Sequence, residues 1–165
     1  MPTTSSGTAT VTLPADDQIL ITREFNASKH LVFRAVTEPE LVKRWWNAKR
    51  GVVTIAEIDL RVGGKWRSVM TTEDGQEVGF HGEYREIVPN ERIVSTEVYE
   101  GVPEEQQGGG TLNTITLIER DGRTTLTTLV QAPSKEVRDA IIESGMEAGM
   151  QDAYDLLEEV AISLR

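Results

Sequence analysis

The C-terminal part of the chain, residues 134–165, has its apolar residues at the spacing of an amphipathic helix. One face of this predicted helix carries Ile142, Met146, Gly149, Ala153, Leu157, Val160 and Leu164. The opposite face carries Glu143, Glu147, Gln151 and Glu158. On the apolar face, Gly145, Gly149 and Ala153 lie four residues apart and form a ridge of small side chains, which admits either a ligand or the sheet. We therefore expect one long helix with little side-chain bulk along part of its buried face.

The segments before this helix alternate between apolar and polar residues, as strands with one buried face do. This alternation predicts strands within residues 18–25, 52–58, 66–70, 78–85, 92–99, 111–119 and 123–131. Gly63-Gly64 and Asp121-Gly122 are typical of hairpin turns. The acidic, glycine-rich residues 100–110 are expected to form a mobile loop.

Two short helices are predicted between the first and second strands. Ser28 is the expected N-cap of the first, and Pro39 begins the second, which runs to Trp45 and Trp46. The order of the predicted strands and helices along the chain indicates an α+β fold, in which a seven-stranded antiparallel sheet wraps around the long C-terminal helix. Residues 18–165 form this single domain, and residues 1–17, rich in Thr, Ser, Gly and Pro, are predicted to be a disordered tail.

Composition narrows the classes of function. A net charge of −10 and a pI near 4.7 oppose binding to nucleic acid or to anionic membranes. The absence of cysteine removes thiolate metal sites and a cysteine nucleophile, and it fits a reducing cytoplasm. We expect a cytoplasmic protein with no metal and no cofactor. A homodimer through strand-edge pairing stays open.

A group of inward-facing side chains is the candidate ligand site, between the sheet and the last helix. Polar Ser68, Asn113 and Thr128 fall on mainly apolar faces, where each needs a hydrogen-bond partner that water or a ligand can supply. The candidate ligand-binding residues are Trp46, Trp66, Met70, Phe80, Tyr84, Asn113, Ile115, Thr128, Met146, Gly149, Met150 and Ala153. The alternative for each of them is an ordinary packed core.

Catalysis has little support in the sequence, and we predict no catalytic residue. His30 and His81 fall on exposed positions, so neither is placed as a general base in the cavity. Glu86, Glu97 or Tyr84 are the residues on which an enzymatic alternative rests. A further polar residue, Arg23, lies on the apolar face of its strand, where pairing with a carboxylate is favoured over binding an anionic ligand.

Several segments resemble one known family when taken in order. They are Thr22-Arg23-Glu24-Phe25-Asn26-Ala27, Val32-Phe33, Trp45-Trp46, Asp59-Leu60-Arg61-Val62-Gly63-Gly64-Lys65-Trp66, Gly82-Glu83-Tyr84-Arg85-Glu86-Ile87-Val88-Pro89-Asn90-Glu91-Arg92 and residues 145–157. Their order and spacing are similar to those of the activator of heat shock protein 90 ATPase homologue family. That family belongs to the START-like (SRPBCC, pollen-allergen-like helix-grip) superfamily. The resemblance covers the chain from about Gln18 to its end.

This resemblance implies the helix-grip fold and an internal cavity for a small apolar or aromatic molecule. Met146 and Met150 stand where relatives commonly carry tryptophans, so the identity of the ligand does not transfer. The prediction is therefore a non-catalytic ligand-binding domain. Two alternatives stay open: an interaction domain that activates a chaperone ATPase through its outer sheet face, and a polyketide cyclase-like or hydrolase-like enzyme.

Overall fold

The computed structural model describes residues 9–165, in which one antiparallel sheet of eight strands packs against four α-helices. The strands are β1 (Thr10–Thr12), β2 (Gln18–Phe25), β3 (Gly51–Ile58), β4 (Lys65–Thr72), β5 (Glu77–Val88), β6 (Arg92–Tyr99), β7 (Thr111–Arg120) and β8 (Arg123–Gln131). The helices are α1 (Lys29–Thr37), α2 (Pro39–Trp45), α3 (Lys135–Glu143) and α4 (Met146–Ser163). The strand order across the sheet is β1-β2-β8-β7-β6-β5-β4-β3.

The main core lies between the inner face of the sheet and the helices α1, α2 and α4. Phe25, Leu117 and Leu126 from the sheet meet Val32 of α1 and Leu157 of α4 there. Because inward and outward side chains alternate along each strand, burial follows the same period, which is clearest in β8. The predicted α+β helix-grip fold is therefore confirmed.

Local signals in the sequence account for most of the element ends. Asp121 and Gly122 both have positive φ values, 55° and 78°, as a tight hairpin turn of this type requires. Pro39 begins α2, and Ser134 caps α3 by accepting a hydrogen bond from the Val137 N–H over 3.1 Å. Residues 104–107 within the acidic loop form a short 3₁₀ helix.

The eighth strand is a difference from the predicted seven. Thr10–Thr12 pairs with β2 at the edge of the sheet, although this segment falls in the predicted disordered tail. The side chain of Gln151 holds Ala9 just before β1, because its Nε2 donates to the Ala9 carbonyl and its Oε1 accepts from the Ala9 N–H, both over 2.9 Å. Residues 1–8 of the predicted tail lie outside the described residues.

The predicted single C-terminal helix is broken. Gly145 has a φ of 85° and separates α3 from α4, so it does not belong to a continuous helical ridge with Gly149 and Ala153. This left-handed conformation is one that glycine adopts without the steric cost that a Cβ brings. The prediction of one long helix over residues 134–165 was therefore wrong at this point.

Two of the residues predicted on the polar face of this helix make tertiary contacts. Gln151 binds the backbone of Ala9, and Glu158 binds Arg23 together with the Asn26 N–H. Both side chains serve as tertiary contacts because the sheet edge and the β2–α1 connection pass beside α4.

Candidate functional site

A cavity of about 190 Å³ lies on the inner side of the sheet, between β3–β8 and the helices α1, α2 and α4. An engineered apolar cavity of about 150 Å³ binds benzene, so this space is large enough for a molecule with one aromatic ring. Its walls are formed by Val36, Val42, Trp45, Trp46, Ile58, Trp66, Ser68, Tyr84, Ile93, Ser95, Glu97, Asn113, Ile115, Leu126, Thr128, Tyr154 and Leu157.

Half of the candidate residues from the sequence meet at this cavity. They are Trp46, Trp66, Tyr84, Asn113, Ile115 and Thr128, and Ser68 joins them. The strand residues among them share the inner face of the sheet, which is why alternation alone could find them.

The structure places the other half elsewhere. Met146 and Met150 belong to the first half of α4 and pack against a smaller cluster that includes Ile19, Ile21 and Val130. Gly149 and Ala153 are half-buried on the same helix but do not line the cavity. These four residues all precede Tyr154 on α4, and the part of α4 that lines the cavity is Tyr154 and Leu157.

Met70 and Phe80 lie on the inner face of the sheet, beyond the cavity. Met70 is buried between Val53 and Val78 on the neighbouring strands. The ring of Phe80 contacts the ring of Trp46 edge-on, with a centroid distance of 5.9 Å, so Phe80 supports a wall residue from behind.

All three tryptophans of the chain line the cavity. Trp45 donates from its Nε1 to the Ala35 carbonyl over 2.8 Å, which anchors α2 to α1 rather than to the sheet. Trp66 donates from its Nε1 to the Thr96 carbonyl over 3.2 Å, where it lies against Gly82. Since these two N–H groups bind backbone carbonyls, neither is free to donate to a molecule in the cavity.

Glu97 carries the one carboxyl group among the residues that line the cavity. Its Oε1 accepts a hydrogen bond from Nδ2 of Asn113 over 2.9 Å. The Oδ1 of Asn113 in turn accepts from the Thr111 hydroxyl over 3.0 Å, which fixes the amide with its nitrogen toward the carboxyl group. Burial raises the pKa of Glu97, and the hydrogen bond from Asn113 opposes part of that rise.

Two tyrosines complete the polar lining. The Tyr154 hydroxyl lies 3.3 Å from the Thr128 hydroxyl, and burial, with the nearby charge of Glu97, raises the pKa of Tyr154. On β5, burial alone raises the pKa of Tyr84 to about 12. Both phenols are therefore neutral at physiological pH and present hydroxyl groups near an otherwise apolar space.

Sequence reasoning missed Tyr154 as a wall residue and named Glu97 only as a support for the enzymatic alternative. Tyr154 follows Met150 by one helical turn and precedes Leu157, and this spacing marks the face that α4 buries. Glu97 shares its parity with Ile93 and Ser95 on β6, which places it on the inner face. That parity was the signal that could have identified Glu97 as a wall residue.

Arg23 holds α4 against β2 next to the site. The side chain is fully buried and donates to Asp155 from Nη1 over 2.8 Å and to Glu158 from Nη2 over 2.9 Å. The predicted pairing of Arg23 with carboxylates is confirmed, so its charge is neutralised by the protein itself.

The two histidines lie away from the cavity. His81 is on the outer face of β5, where its Nδ1 contacts Glu100 at 2.8 Å, and His30 is exposed beside Ser28. Within residues 9–165, no cluster of three or more His, Asp or Glu side chains is arranged to hold a metal ion. None of the helices in this part of the chain is long and apolar enough to cross a membrane.

Comparison with known proteins gives a family match and many structural relatives. Residues 26–161 match the family model described as "Activator of Hsp90 ATPase homolog 1-like protein". A crystal structure of a protein from Rhodobacter sphaeroides is similar, with a TM-score of 0.84 and 25% identity, covering 96% of this chain and 100% of that one. A solution structure of a protein from Arthrobacter aurescens has a TM-score of 0.83 and 25% identity, covering 93% and 91%.

A third solved structure, a protein from Chromobacterium violaceum, has a TM-score of 0.76 and 27% identity, covering 89% of this chain and 98% of that one. No curated protein gives a sequence match. These relatives therefore support the fold over the whole domain, and the function has to be argued from the cavity.

Proposed function

Because the chain belongs to the activator of Hsp90 ATPase homolog 1-like family of START-like proteins, we propose that it binds a small aromatic or hydrophobic molecule in the cavity between the sheet and α4. Binding does not require a catalytic step. The ligand is a molecule of about one aromatic ring with a short polar substituent.

The observation that carries this proposal is the composition of the cavity wall. Protein interiors are usually packed as densely as organic crystals, so a partly open space of about 190 Å³ that reaches in among core side chains is a departure from close packing. Its wall is mainly aromatic and aliphatic, with a few convergent polar groups from Glu97, Tyr84 and the Thr128–Tyr154 pair. Binding sites for small molecules typically combine an apolar wall with a few such groups.

The test uses 2-phenylethanol as a neutral probe with one aromatic ring. Since every tryptophan lies on the cavity wall, a ligand that enters the cavity changes the intrinsic fluorescence of the protein. We expect a saturable fluorescence change on titration, with one molecule bound per chain by calorimetry.

Two variants on β8 form a matched pair. Thr128 faces the cavity, and Thr127 on the same strand faces the other side of the sheet. Thr128→Phe fills the cavity and should abolish probe binding, while Thr127→Phe should leave it unchanged. Thermal unfolding of both variants checks that they fold. Equal binding by Thr128→Phe and the wild type would contradict the proposed site.

A further inference from the structure

Resting on the proposed function, we infer that the ligand is an aromatic amine, bound as a cation with its ammonium group against Glu97. The inference starts from the charges at the cavity. Glu97 is the one acidic side chain on its wall, and the wall contains no Lys, Arg or His. A carboxylate ligand would therefore place a second negative charge beside Glu97 with no cation to balance it.

The two arginines that bind carboxylates of α4 are already paired. Arg23 binds Asp155 and Glu158 on α4, and Arg50 binds Asp152 at 2.8 Å. Since each guanidinium group has its own carboxylate, neither supplies a counter-ion to Glu97. A positive charge beside Glu97 would therefore come from a bound molecule.

The geometry around the carboxyl group leaves one oxygen available. Oε1 of Glu97 accepts from Asn113, whereas Oε2 accepts no hydrogen bond from residues 9–165 and is not fully buried, so it is accessible to a bound molecule. The Asn113 amide is oriented by Thr111 to donate, an arrangement that suits a carboxylate better than a carboxylic acid. An ammonium group at Oε2 would complete the hydrogen bonding and neutralise the charge.

Aromatic rings line the same cavity as this carboxyl group. These rings belong to Trp46, Trp66, Tyr84 and Tyr154, and the Trp66 indole is held in place by its bond to the carbonyl of Thr96, the residue before Glu97. Aromatic faces attract organic cations, and the attraction is stronger where water is excluded. The net charge of −10 adds a long-range attraction for cations. A carboxylate among aromatic rings is thus suited to an amine that carries its own apolar group.

The experiment compares three probes of similar size and different charge: 2-phenylethylamine, 2-phenylethanol and phenylacetate. Each is titrated at neutral pH into the wild type, Glu97→Gln and Glu91→Gln. The Glu91 variant is the matched control, because this exposed side chain lies outside the cavity and its loss changes the net charge by the same amount.

We expect the amine to bind the wild type about tenfold or more tightly than the alcohol, since hydrogen bonds to charged groups contribute more than neutral ones. Glu97→Gln should weaken the amine by about tenfold or more and leave the alcohol within about twofold. Glu91→Gln should change neither affinity, and phenylacetate should bind most weakly.

The outcomes separate this inference from the proposed function. If the alcohol binds as tightly as the amine, or if Glu97→Gln leaves the amine affinity unchanged, the amine inference is wrong while the binding function stands. If the wild type binds none of the three probes, both the inference and the proposed function fail.

Discussion

The buried guanidinium of Arg23 gives the sharpest test of how α4 is held in place. Arg23→Met keeps most of the side-chain volume and removes the charge, which leaves Asp155 and Glu158 facing an apolar group. Removing one partner of a buried ion pair costs about 3–5 kcal/mol. The structure allows this range to be adjusted for the actual contacts.

Two features reduce the expected loss. The Asp155 side chain is 36% exposed, so water solvates it when Arg23 is removed. Glu158 is only 14% exposed, but it keeps the hydrogen bond from the Asn26 N–H. In addition, the Nε of Arg23 is buried without a hydrogen-bond partner, and the methionine removes that cost of about 1–3 kcal/mol. A net loss of about 2–3 kcal/mol follows.

The assay is urea unfolding together with thermal unfolding, each monitored by tryptophan fluorescence and by circular dichroism. For a chain of this size, about 2–3 kcal/mol corresponds to a fall in melting temperature of roughly 4–12 °C. Arg34→Met is the control, because Arg34 forms an exposed pair with Glu38 one turn along α1 and should change stability little. A loss for Arg23→Met no larger than that for Arg34→Met would refute the reasoning.

Four further substitutions, three at glycines and one at Glu97, have expected effects on stability. Gly82→Ala should strongly destabilise the protein and disturb the fluorescence of Trp66, because a Cβ at Gly82 would overlap the Thr96 carbonyl and come within 2.6 Å of the indole nitrogen. Gly149→Ala should raise the free energy of unfolding by about 0.5–1 kcal/mol, since the position is helical and open. Gly145→Ala should lower the free energy of unfolding, because Gly145 has a positive φ. Chemical denaturation of both variants measures these changes. Glu97→Gln should be more stable than the wild type at pH 7, and the difference should shrink toward acid pH. The reason is that the folded state raises the pKa of Glu97 above the ordinary glutamate value of 4.5, so the wild type loses stability as the pH rises above that value. Unfolding of both proteins at a series of pH values measures the difference.

Local patterns predicted the parts of this fold that depend on neighbouring residues in sequence. The alternation in β5, β7 and β8 gave the inward-facing side chains Tyr84, Asn113, Ile115 and Thr128, because each strand buries one face. Turn residues such as Asp121-Gly122 marked the strand ends for the same local reason.

Long-range contacts explain what the sequence did not predict. The strand β1 is held in part by Gln151, which is 142 positions away from Ala9, so no local pattern reveals the contact. Gly145 is compatible with a helix interior at a modest cost, so its left-handed conformation follows from the packing of α3 and α4 and not from its neighbours. Within α4 the cavity is lined by Tyr154 and Leu157, whereas Gly149 and Ala153 lie outside it.

The most direct test of the central claim is native mass spectrometry of the protein purified from its own host. Wild type, Thr128→Phe and Thr127→Phe are compared under mild and denaturing conditions. A small molecule in the cavity predicts an added mass on the wild type and on Thr127→Phe that disappears on denaturation and is absent from Thr128→Phe. The same added mass on Thr128→Phe, in the same proportion, would contradict the account.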